Sequence, residues 1–389
     1  MIFTDFQDKK LSLLGFGAMR LPVKDGEIDQ EQVAEMVRYG IEQGVNYFDT
    51  AYPYHSGMSE RVMGKILSQY PRESFYLADK FPGHMILESY DPKTLFEEQL
   101  RRCNVEYFDF YLLHNVYEES VDRYLDPQWG ILEYLKEQKR NGRIRHLGFS
   151  THGRLDMMKK FLDAYGEDME FCQIQLNYLD WTLQDAKEKY ELLTSYNIPV
   201  WVMEPVRGGK LANFFDPRLM ERHPDWSTAS WGFRFLQGLP NVKMILSGMS
   251  NMNHMTDNVA TFAQRSILNP EETELLFAIA DEMKAVIPCT GCKYCCDGCP
   301  MGLDIPAMMS ICSDIRFAPV VNSVMMIQAL PEDKKPSACI SCGKCSQVCP
   351  QGIDIPGVMQ ELSKRLEAIP VWAEICRQRE LEQKQARDI

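Results

Sequence analysis

Short apolar runs alternate along the chain with longer stretches in which apolar residues recur every three or four positions. The short runs predict β-strands and the longer stretches predict amphipathic helices. Predicted strands cover residues 11–16, 47–49, 75–80, 108–114, 144–150, 171–175, 199–203 and 242–247. Predicted helices follow them at 30–43, 60–69, 92–103, 131–141, 154–165, 185–196, 228–237 and 252–264.

About eight strand–helix units in roughly 260 residues predict the α/β class and a (β/α)8 TIM barrel. The alternative is an open, doubly wound parallel sheet, which carries a glycine-rich phosphate-binding turn after its first strand. The first predicted strand is instead followed by GFGAMRLP, which lacks the third glycine of that turn and opens no helix. The barrel is therefore preferred.

The composition restricts the classes of partner. A formal net charge of −13 argues against general nucleic-acid binding. No apolar run approaches the roughly 18 residues of a membrane-spanning helix, and the N-terminal MIFTDFQDKK lacks the regions of a signal peptide. Thirteen cysteines, of which eight fall in two tight clusters, predict metal binding in a reducing compartment. We therefore expect a cytoplasmic protein that binds neither nucleic acid nor membrane.

Three predicted barrel strands end on an ionisable residue. Asp49, Lys80 and His114 close the second, third and fourth strands, and Tyr54 follows Asp49 in the next loop. Because the carboxyl ends of barrel strands meet at one mouth, these four side chains are expected to converge. A lysine ammonium beside Tyr54 is expected to lower the pKa of its phenol. Such a set suits proton delivery to a carbonyl oxygen while another group delivers hydride to its carbon.

These residues also carry a family resemblance. The motif D-T-A-x-x-Y at 49–54, the pair Asp79-Lys80, the LLH that ends at 114, the GFS at 148–150 and Gln173 resemble the aldo-keto reductases over roughly residues 1–265. The resemblance implies that Tyr54 is the general acid and that Lys80 and Asp49 tune it. It implies that His114 orients the substrate.

The resemblance further implies a nicotinamide cofactor, NADP(H) or NAD(H), whose carboxamide is held by Ser150 and Gln173. Four positions depart from the better-known members. Thr151 stands where asparagine is usual, Met203 falls near the aromatic residue that stacks on the nicotinamide, and the basic pair for the adenosine 2′-phosphate aligns with Gly248 and His254. The choice between NADP and NAD is therefore left open.

Two loops complete the predicted cofactor site. Arg207, Gly208 and Gly209 are expected to meet the pyrophosphate through charge and backbone donors, with Lys210 either joining them or lying on a plain surface loop. Ser250 and Asn258, which follow the last predicted barrel strand, are the remaining predicted cofactor-binding residues.

The motif C-x2-C-x2-C-x3-C-P occurs twice, with the spacing of bacterial two-cluster ferredoxins. The two copies align without a gap at an offset of 50 residues, from Cys289 to Cys339. Cys296 corresponds to Ser346 in this repeat, so Cys295, which corresponds to Cys345, is the better ligand. Because the fourth cysteine of each motif ligates the other cluster in such ferredoxins, the predicted [4Fe–4S] ligand sets are Cys289, Cys292, Cys295 and Cys349, and Cys339, Cys342, Cys345 and Cys299. Two structural zinc sites are the alternative.

We therefore predict a barrel domain at 1–268 and a smaller, mostly helical two-cluster domain at 269–389, which resembles all-helical ferredoxin modules. The predicted protein moves hydride between a nicotinamide and a small carbonyl or alcohol substrate. The clusters would pass electrons to a ferredoxin-like partner, sense oxygen or stabilise the fold. Direct exchange between clusters and nicotinamide would be chemically awkward without a flavin, since a hydride carries two electrons and a cluster passes one. The alternative hypothesis is an electron-transfer or binding subunit with a non-catalytic barrel.

Overall fold

The structure is a computed structural model, and it describes residues 1–85, 91–284, 287, 289, 293–317, 321–349, 352–367 and 369. The predicted ligand Cys292 lies outside these residues. The chain forms two compact units. One comprises Met1–Trp181 and Asp185–Asn269, and the other comprises Thr182–Gln184 and the described residues from Pro270 onwards.

Eight parallel strands of the first unit close into a barrel, which confirms the predicted fold class. They follow the chain order around the barrel, and β8 pairs with β1 to close it, with Ile245 opposite Leu14. The strands are β1 Leu14–Gly17, β2 Tyr47–Asp49, β3 Tyr76–Phe81, β4 Phe108–Leu113, β5 Ile144–Thr151, β6 Cys172–Gln175, β7 Val200–Met203 and β8 Val242–Ser247.

Helices follow the barrel strands as the 3.6-residue periodicity predicts. The first begins after Asp29, whose side chain accepts a hydrogen bond from the Gln32 backbone N–H and so caps the helix. The α-helices of this unit are Gln30–Glu42, Met58–Leu67, Pro92–Cys103, Val121–Leu125, Ile131–Arg140, Leu155–Tyr165, Ala186–Ser195, Pro217–Arg222, Thr228–Gln237 and Met252–Thr261, and Asp180–Leu183 crosses into the second unit.

The first predicted strand, over residues 11–16, is wrong in its bounds. The structure divides it between β1 and an earlier strand, Lys9–Ser12, which pairs antiparallel with Phe3–Phe6. Phe6 from this hairpin packs against Phe110 and Trp201 in the barrel interior, with ring centroids 5.6 and 5.0 Å away. Residues 11–16 are all buried on both sides of this boundary, so the sequence carries no mark of it.

The second unit is built from helices and short turns in its described part, as predicted. The helices are Pro270–Lys284, Tyr294–Asp297, Ile305–Phe317, Val321–Gln328, Lys344–Gln347 and Ile355–Glu367. Two pairs of them recur at the 50-residue offset of the cysteine motifs. The turn glycines recur too, because Gly302 and Gly352 both adopt left-handed backbone angles, with φ of 58° and 64°. The internal repeat of the sequence is thus a repeat of structure.

No helix in the described part of the chain is both long and apolar enough to cross a membrane.

Candidate active site and cysteine cluster

The barrel brings Asp49, Lys80, Tyr54 and His114 together at the carboxyl ends of β2, β3 and β4. Lys80 Nζ lies 2.6 Å from Asp49 Oδ1 and 3.4 Å from the Tyr54 hydroxyl, and it also donates to the Thr50 carbonyl at 2.7 Å. The Tyr54 and His114 rings are nearly perpendicular, with centroids 6.1 Å apart. All four predicted catalytic side chains therefore occupy one mouth of the barrel.

The electrostatics of this site differ from the sequence prediction at Tyr54. Burial raises the pKa of the Tyr54 phenol, and the Lys80 ammonium offsets only part of this effect. The expected lowering of the Tyr54 pKa is therefore wrong. Burial also disfavours the charged form of Lys80, but the Asp49 carboxylate outweighs it and raises the Lys80 pKa. The site thus holds a protonated phenol beside a fixed ammonium, which is the protonation state that a general acid needs.

A second histidine, His84, stands beside His114, with ring centroids 4.3 Å apart. Gly83 leaves room for Tyr124, because a Cβ atom at Gly83 would lie 2.5 Å from that ring. The Tyr124 hydroxyl in turn lies 2.7 Å from the carbonyl oxygen of His114 and 3.2 Å from that of Phe81. Sequence reasoning missed His84, although a histidine four residues after the strand-end lysine was a usable signal.

The residues predicted to hold the nicotinamide lie on adjacent strands. Ser150 of β5 and Gln173 of β6 are register partners, and Gln173 Nε2 is 3.6 Å from the Met203 sulfur on β7. The Ser150 hydroxyl accepts a hydrogen bond from the Asn115 backbone N–H at 2.8 Å. Thr151, which replaces the usual asparagine, donates its hydroxyl proton to the Val116 carbonyl. Its side chain therefore fixes the loop after β4.

Arg207 is placed differently from a side chain that binds pyrophosphate. It is fully buried, and its Nε lies 3.2 Å from Asp180 Oδ1. Asp180 also accepts hydrogen bonds from Gln175 and Asn177, at 2.7 and 2.6 Å. The Arg207 guanidinium thus forms a buried ion pair with Asp180, and this ion pair anchors the loop after β7. Backbone donors of the neighbouring glycines remain the predicted phosphate contacts.

The loop after β1 supplies a cation that sequence reasoning missed. Arg20 Nη2 lies 3.0 Å from Glu204 Oε1, and the Arg20 carbonyl accepts the Ser250 hydroxyl at 2.9 Å. Gly208 and Gly248 both pack against Arg20, since a Cβ atom on either would lie 2.7 or 3.1 Å from its side chain. Arg20 therefore lies among the predicted cofactor-binding residues. Its position directly after the GFGAM segment was the available signal.

Asn258 is also a predicted cofactor-binding residue, and in the structure its side chain forms a buried hydrogen bond within the barrel unit. It is 4% exposed and its Nδ2 donates to the Ser247 hydroxyl at 2.8 Å. This bond links the helix Met252–Thr261 to the end of β8. The described contacts of Asn258 thus fix the loop that contains Ser250.

In the second unit, cysteines of both motifs line the same pocket. Cys299 of the first motif lies there with Cys339, Cys342 and Cys345 of the second. This is the set predicted for one cluster, with the fourth cysteine supplied by the other motif. This donor set suits a [4Fe–4S] cluster, which is held by four thiolates.

Cys289 and Cys295, two described cysteines of the other predicted site, also lie close together. Burial raises the pKa of the Cys295 thiol to about 12, with further contributions from Cys296 and Cys289. Cys349 is half-buried and packs against the same hydrophobic core as these residues. Cys296 is therefore a neighbour of the predicted ligands. The reason to prefer Cys295 as a ligand is its correspondence to Cys345 in the internal repeat.

A barrel with a tyrosine, lysine, aspartate and histidine set at its carboxyl mouth defines a class of nicotinamide-dependent carbonyl oxidoreductases. The model of the aldo/keto reductase family matches residues 13–280, and that of the 4Fe-4S dicluster domain matches residues 288–353. The chain belongs to the aldo/keto reductase family and carries a 4Fe-4S dicluster domain.

Characterised relatives resemble the barrel part of the chain. L-galactose dehydrogenase from Arabidopsis thaliana is 25% identical over 295 residues, which cover 68% of this chain and 89% of that protein. NADH-specific methylglyoxal reductase from Escherichia coli (strain K12) is 26% identical over 224 residues, or 52% of this chain and 66% of that protein.

Solved structures show the same fold. The holo form of aldo-keto reductase AKR11C1 from Bacillus halodurans superposes with a TM-score of 0.59 at 24% identity, covering 72% of this chain and 96% of that one. An aldo-keto reductase from Klebsiella pneumoniae in complex with NADPH gives a TM-score of 0.58 at 20% identity, with the same coverage.

Proposed function

We propose that the protein reduces a small carbonyl compound with a nicotinamide cofactor, or oxidises the corresponding alcohol, and carries two [4Fe–4S] clusters. The observation that carries the proposal is the buried Lys80–Asp49 pair beside the Tyr54 hydroxyl, with Lys80 Nζ 3.4 Å from that hydroxyl. Tyr54 gives its proton to the carbonyl oxygen. Lys80 stays charged because of Asp49, and stabilises the phenolate that remains.

His114 acts on the same oxygen from the other side. Its ring lies edge-on to Tyr54, so a carbonyl oxygen can lie between the phenol and the imidazole. A hydrogen bond from the imidazole polarises the carbonyl and directs its carbon toward the nicotinamide. A bound nicotinamide would supply the hydride. Ser150 and Gln173 are the residues proposed to hold its carboxamide, and Gly208, Gly209 and Arg20 border the proposed pyrophosphate site.

The relatives suggest the substrate class. A methylglyoxal reductase and an L-galactose dehydrogenase act, by their names, on small polar aldehydes or sugars. We extend this class to the present chain as small polar carbonyl compounds and their alcohols. Methylglyoxal is therefore the first substrate to assay.

The cysteine motifs supply a separate, one-electron chemistry. Each cluster would accept and release one electron, and a ferredoxin-like protein is the proposed partner for this exchange. The domain bounds proposed for the two activities are 1–268 and 269–389, and the reducing interior of the cell is the proposed location.

The proposal is tested by anaerobic purification, analysis of iron and sulfide, and titration with NADPH and with NADH. About eight iron and eight sulfide per chain are expected for two [4Fe–4S] clusters. Methylglyoxal should then be reduced with oxidation of the nicotinamide. Zinc in place of iron would overturn the cluster proposal, and an absence of turnover with every small aldehyde tested would overturn the reductase proposal.

The raised pKa of Tyr54 predicts the pH dependence of the reduction. The general acid must carry its proton, so reduction persists below the pKa of Tyr54 and is lost as the pH rises past it. Since burial raises that pKa above the ordinary value of about 10, kcat for reduction should stay level from neutral pH to about 10 and fall above it. Measuring kcat against pH at saturating cofactor checks this. A fall centred near neutral pH would contradict it.

The segment after β8 predicts weak recognition of the adenosine 2′-phosphate. Residues 248–258 contain no lysine or arginine, and His254 Nδ1 lies 3.3 Å from the Ser250 backbone nitrogen as a hydrogen-bond acceptor. The substitution His254→Arg should lower the Kd for NADPH by about tenfold to about 10²-fold, because a charge-assisted hydrogen bond contributes roughly 1.5–3 kcal/mol. The Kd for NADH should stay unchanged.

Fluorescence titration of both nicotinamides measures these constants. His254→Gln is the matched control, since it changes the same position without adding a charge. Equal changes in the Kd of NADPH and NADH for the arginine variant would contradict the prediction.

A further inference from the structure

Two acidic side chains are buried together behind the strand that carries Lys80. Asp79 precedes Lys80 in β3, and because side chains alternate along a strand it faces the surrounding helices. Asp79 and Glu60 of the helix Met58–Leu67 are both fully buried, and their carboxyl groups are close enough for each to affect the pKa of the other. Two ionised carboxylates can only accept hydrogen bonds, so a hydrogen bond between them requires one shared proton.

The proton of this pair belongs to Asp79. Burial and the neighbouring Glu60 charge hold the pKa of Asp79 well above its usual range. Glu60 is the partner with the compensating cation, because its Oε2 lies 2.8 Å from Arg102 Nη1. The pair is therefore a neutral carboxylic acid that donates to a carboxylate paired with arginine.

The pair and its neighbours hold the main chain of Lys80. Asp79 Oδ1 accepts a hydrogen bond from the Lys80 backbone N–H at 2.8 Å. Gln99 Nε2 lies 3.0 Å from Glu60 Oε1 and also 3.0 Å from the Lys80 carbonyl oxygen. Both backbone polar groups of Lys80 are thus tied to this buried cluster.

The same cluster contacts the loop that carries Tyr54. The guanidinium of Arg102 lies over the ring of Tyr52, 4.5 Å from its centroid, and Tyr52 stands between Asp49 and Tyr54 in the chain. A cation over an aromatic face is attracted by the ring quadrupole. Through Arg102, Glu60 therefore helps to position the loop that contains Tyr52 and Tyr54, as well as the strand β3 that contains Lys80.

We propose that Asp79 and Glu60 form a positioning pair, which fixes the Lys80 main chain and the Tyr52 loop and thereby sets the separation of Lys80 Nζ from the Tyr54 hydroxyl. The proposal rests on the proposed reductase function for its kinetic consequence. A displacement of about 1 Å at such a contact costs about 10²-fold in rate. Neither side chain touches substrate or cofactor in this role.

Three variants test the pair. Asp79→Asn keeps a neutral group that can donate to Glu60 and accept from Lys80, so its kcat for methylglyoxal reduction should stay close to that of the wild type. Asp79→Ala removes both hydrogen bonds, and its kcat should fall about tenfold or more with the KM for the nicotinamide unchanged. Its alkaline pH limit should also shift, because the Lys80–Tyr54 separation sets the phenol pKa.

Glu98→Gln is the matched control for a change of charge in the same cluster. Glu98 pairs with Arg102, with Arg102 Nη2 2.6 Å from Glu98 Oε1. Its kcat and pH profile should be those of the wild type. Equal losses of kcat in Asp79→Asn and Asp79→Ala, or an unchanged kcat and pH profile in a folded Asp79→Ala protein, would overturn the proposal.

Two further measurements do not depend on activity. The carbonyl stretch of a protonated carboxylic acid should be visible in the infrared spectrum at neutral pH, and it should vanish in Asp79→Asn but not in Glu98→Gln. Hydrogen exchange of the peptide that contains Lys80 should accelerate in Asp79→Ala and stay slow in Asp79→Asn. Absence of the infrared band, or unaltered hydrogen exchange in Asp79→Ala, would overturn the proposal of a positioning pair. These two results do not depend on carbonyl reduction. If the wild-type protein reduced no carbonyl, only the proposed function would be overturned.

Discussion

Replacing Tyr54 with phenylalanine should lower kcat for carbonyl reduction roughly 10²- to 10⁴-fold, the usual contribution of a general acid. The ring and its contact with His114 remain, and only the hydroxyl beside Lys80 is lost. The KM for the nicotinamide and the iron content should stay unchanged, because the hydroxyl is placed at the substrate. Steady-state assays of nicotinamide oxidation with methylglyoxal, alongside iron analysis of the same sample, measure all three quantities.

Tyr47→Phe is the matched control for this experiment. Tyr47 lies on β2, two residues before Asp49, and it is fully buried in the barrel interior among Phe110 and Trp201. This control loses a phenolic hydroxyl from β2 and leaves the Tyr54 hydroxyl in place. A folded Tyr54→Phe protein with wild-type kcat would contradict the proposed mechanism and favour the alternative of a non-catalytic barrel that serves electron transfer or binding.

Replacing Cys299 with serine should remove the cluster held mainly by the second cysteine motif. Cys299 lines the same pocket as Cys339, Cys342 and Cys345. Loss of one of the four thiolates should destabilise that cluster, so the anaerobically purified variant should hold about four iron atoms in place of about eight. Iron and sulfide analysis and the electron paramagnetic resonance spectrum of the reduced protein measure the outcome.

The spectrum of the remaining cluster distinguishes the two ligation schemes. If Cys299 ligates across motifs, the Cys299→Ser spectrum should match that of Cys342→Ser. If each motif holds its own cluster, it should instead match that of Cys289→Ser, which would contradict the prediction. Cys296→Ser is the control, because Cys296 is a neighbouring cysteine outside the predicted ligand sets, and this variant should keep both clusters.

The barrel and the meeting of the four predicted catalytic side chains could be predicted because both follow from periodicity. Strand-end positions converge in a closed parallel barrel whatever the details of packing, and this placed Asp49, Lys80 and His114 correctly. The pKa of Tyr54 could not be predicted in this way. The direction of the pKa shift depends on which of two effects is larger: burial, which raises the pKa, or the Lys80 ammonium, which lowers it. The extent of burial is a property of the whole fold.

Arg207 and Arg20 show a second limit of the sequence. An arginine beside two glycines is typical of a phosphate loop, yet the partner that determines its role, Asp180, lies 27 residues earlier in the chain. Arg20 was missed because its neighbours, Gly208, Gly248 and Ser250, come from the opposite end of the barrel sequence. Pairings between distant residues leave no local pattern, so only the folded structure assigns these two cations.

Cys299 lines the same pocket as cysteines of the second motif. A cluster held by these residues would therefore cross-link two distant parts of the chain. It would close a loop between Cys299 and Cys339, and its counterpart would join Cys289 to Cys349 around that loop. Cross-links restrict the unfolded chain, and one that closes a loop of this size contributes about 4 kcal/mol in the chain-entropy account of disulfides. The folding stability of the second unit would then depend directly on the supply of iron. If the chain were cut between the motifs, neither fragment would contain all four ligands of either cluster.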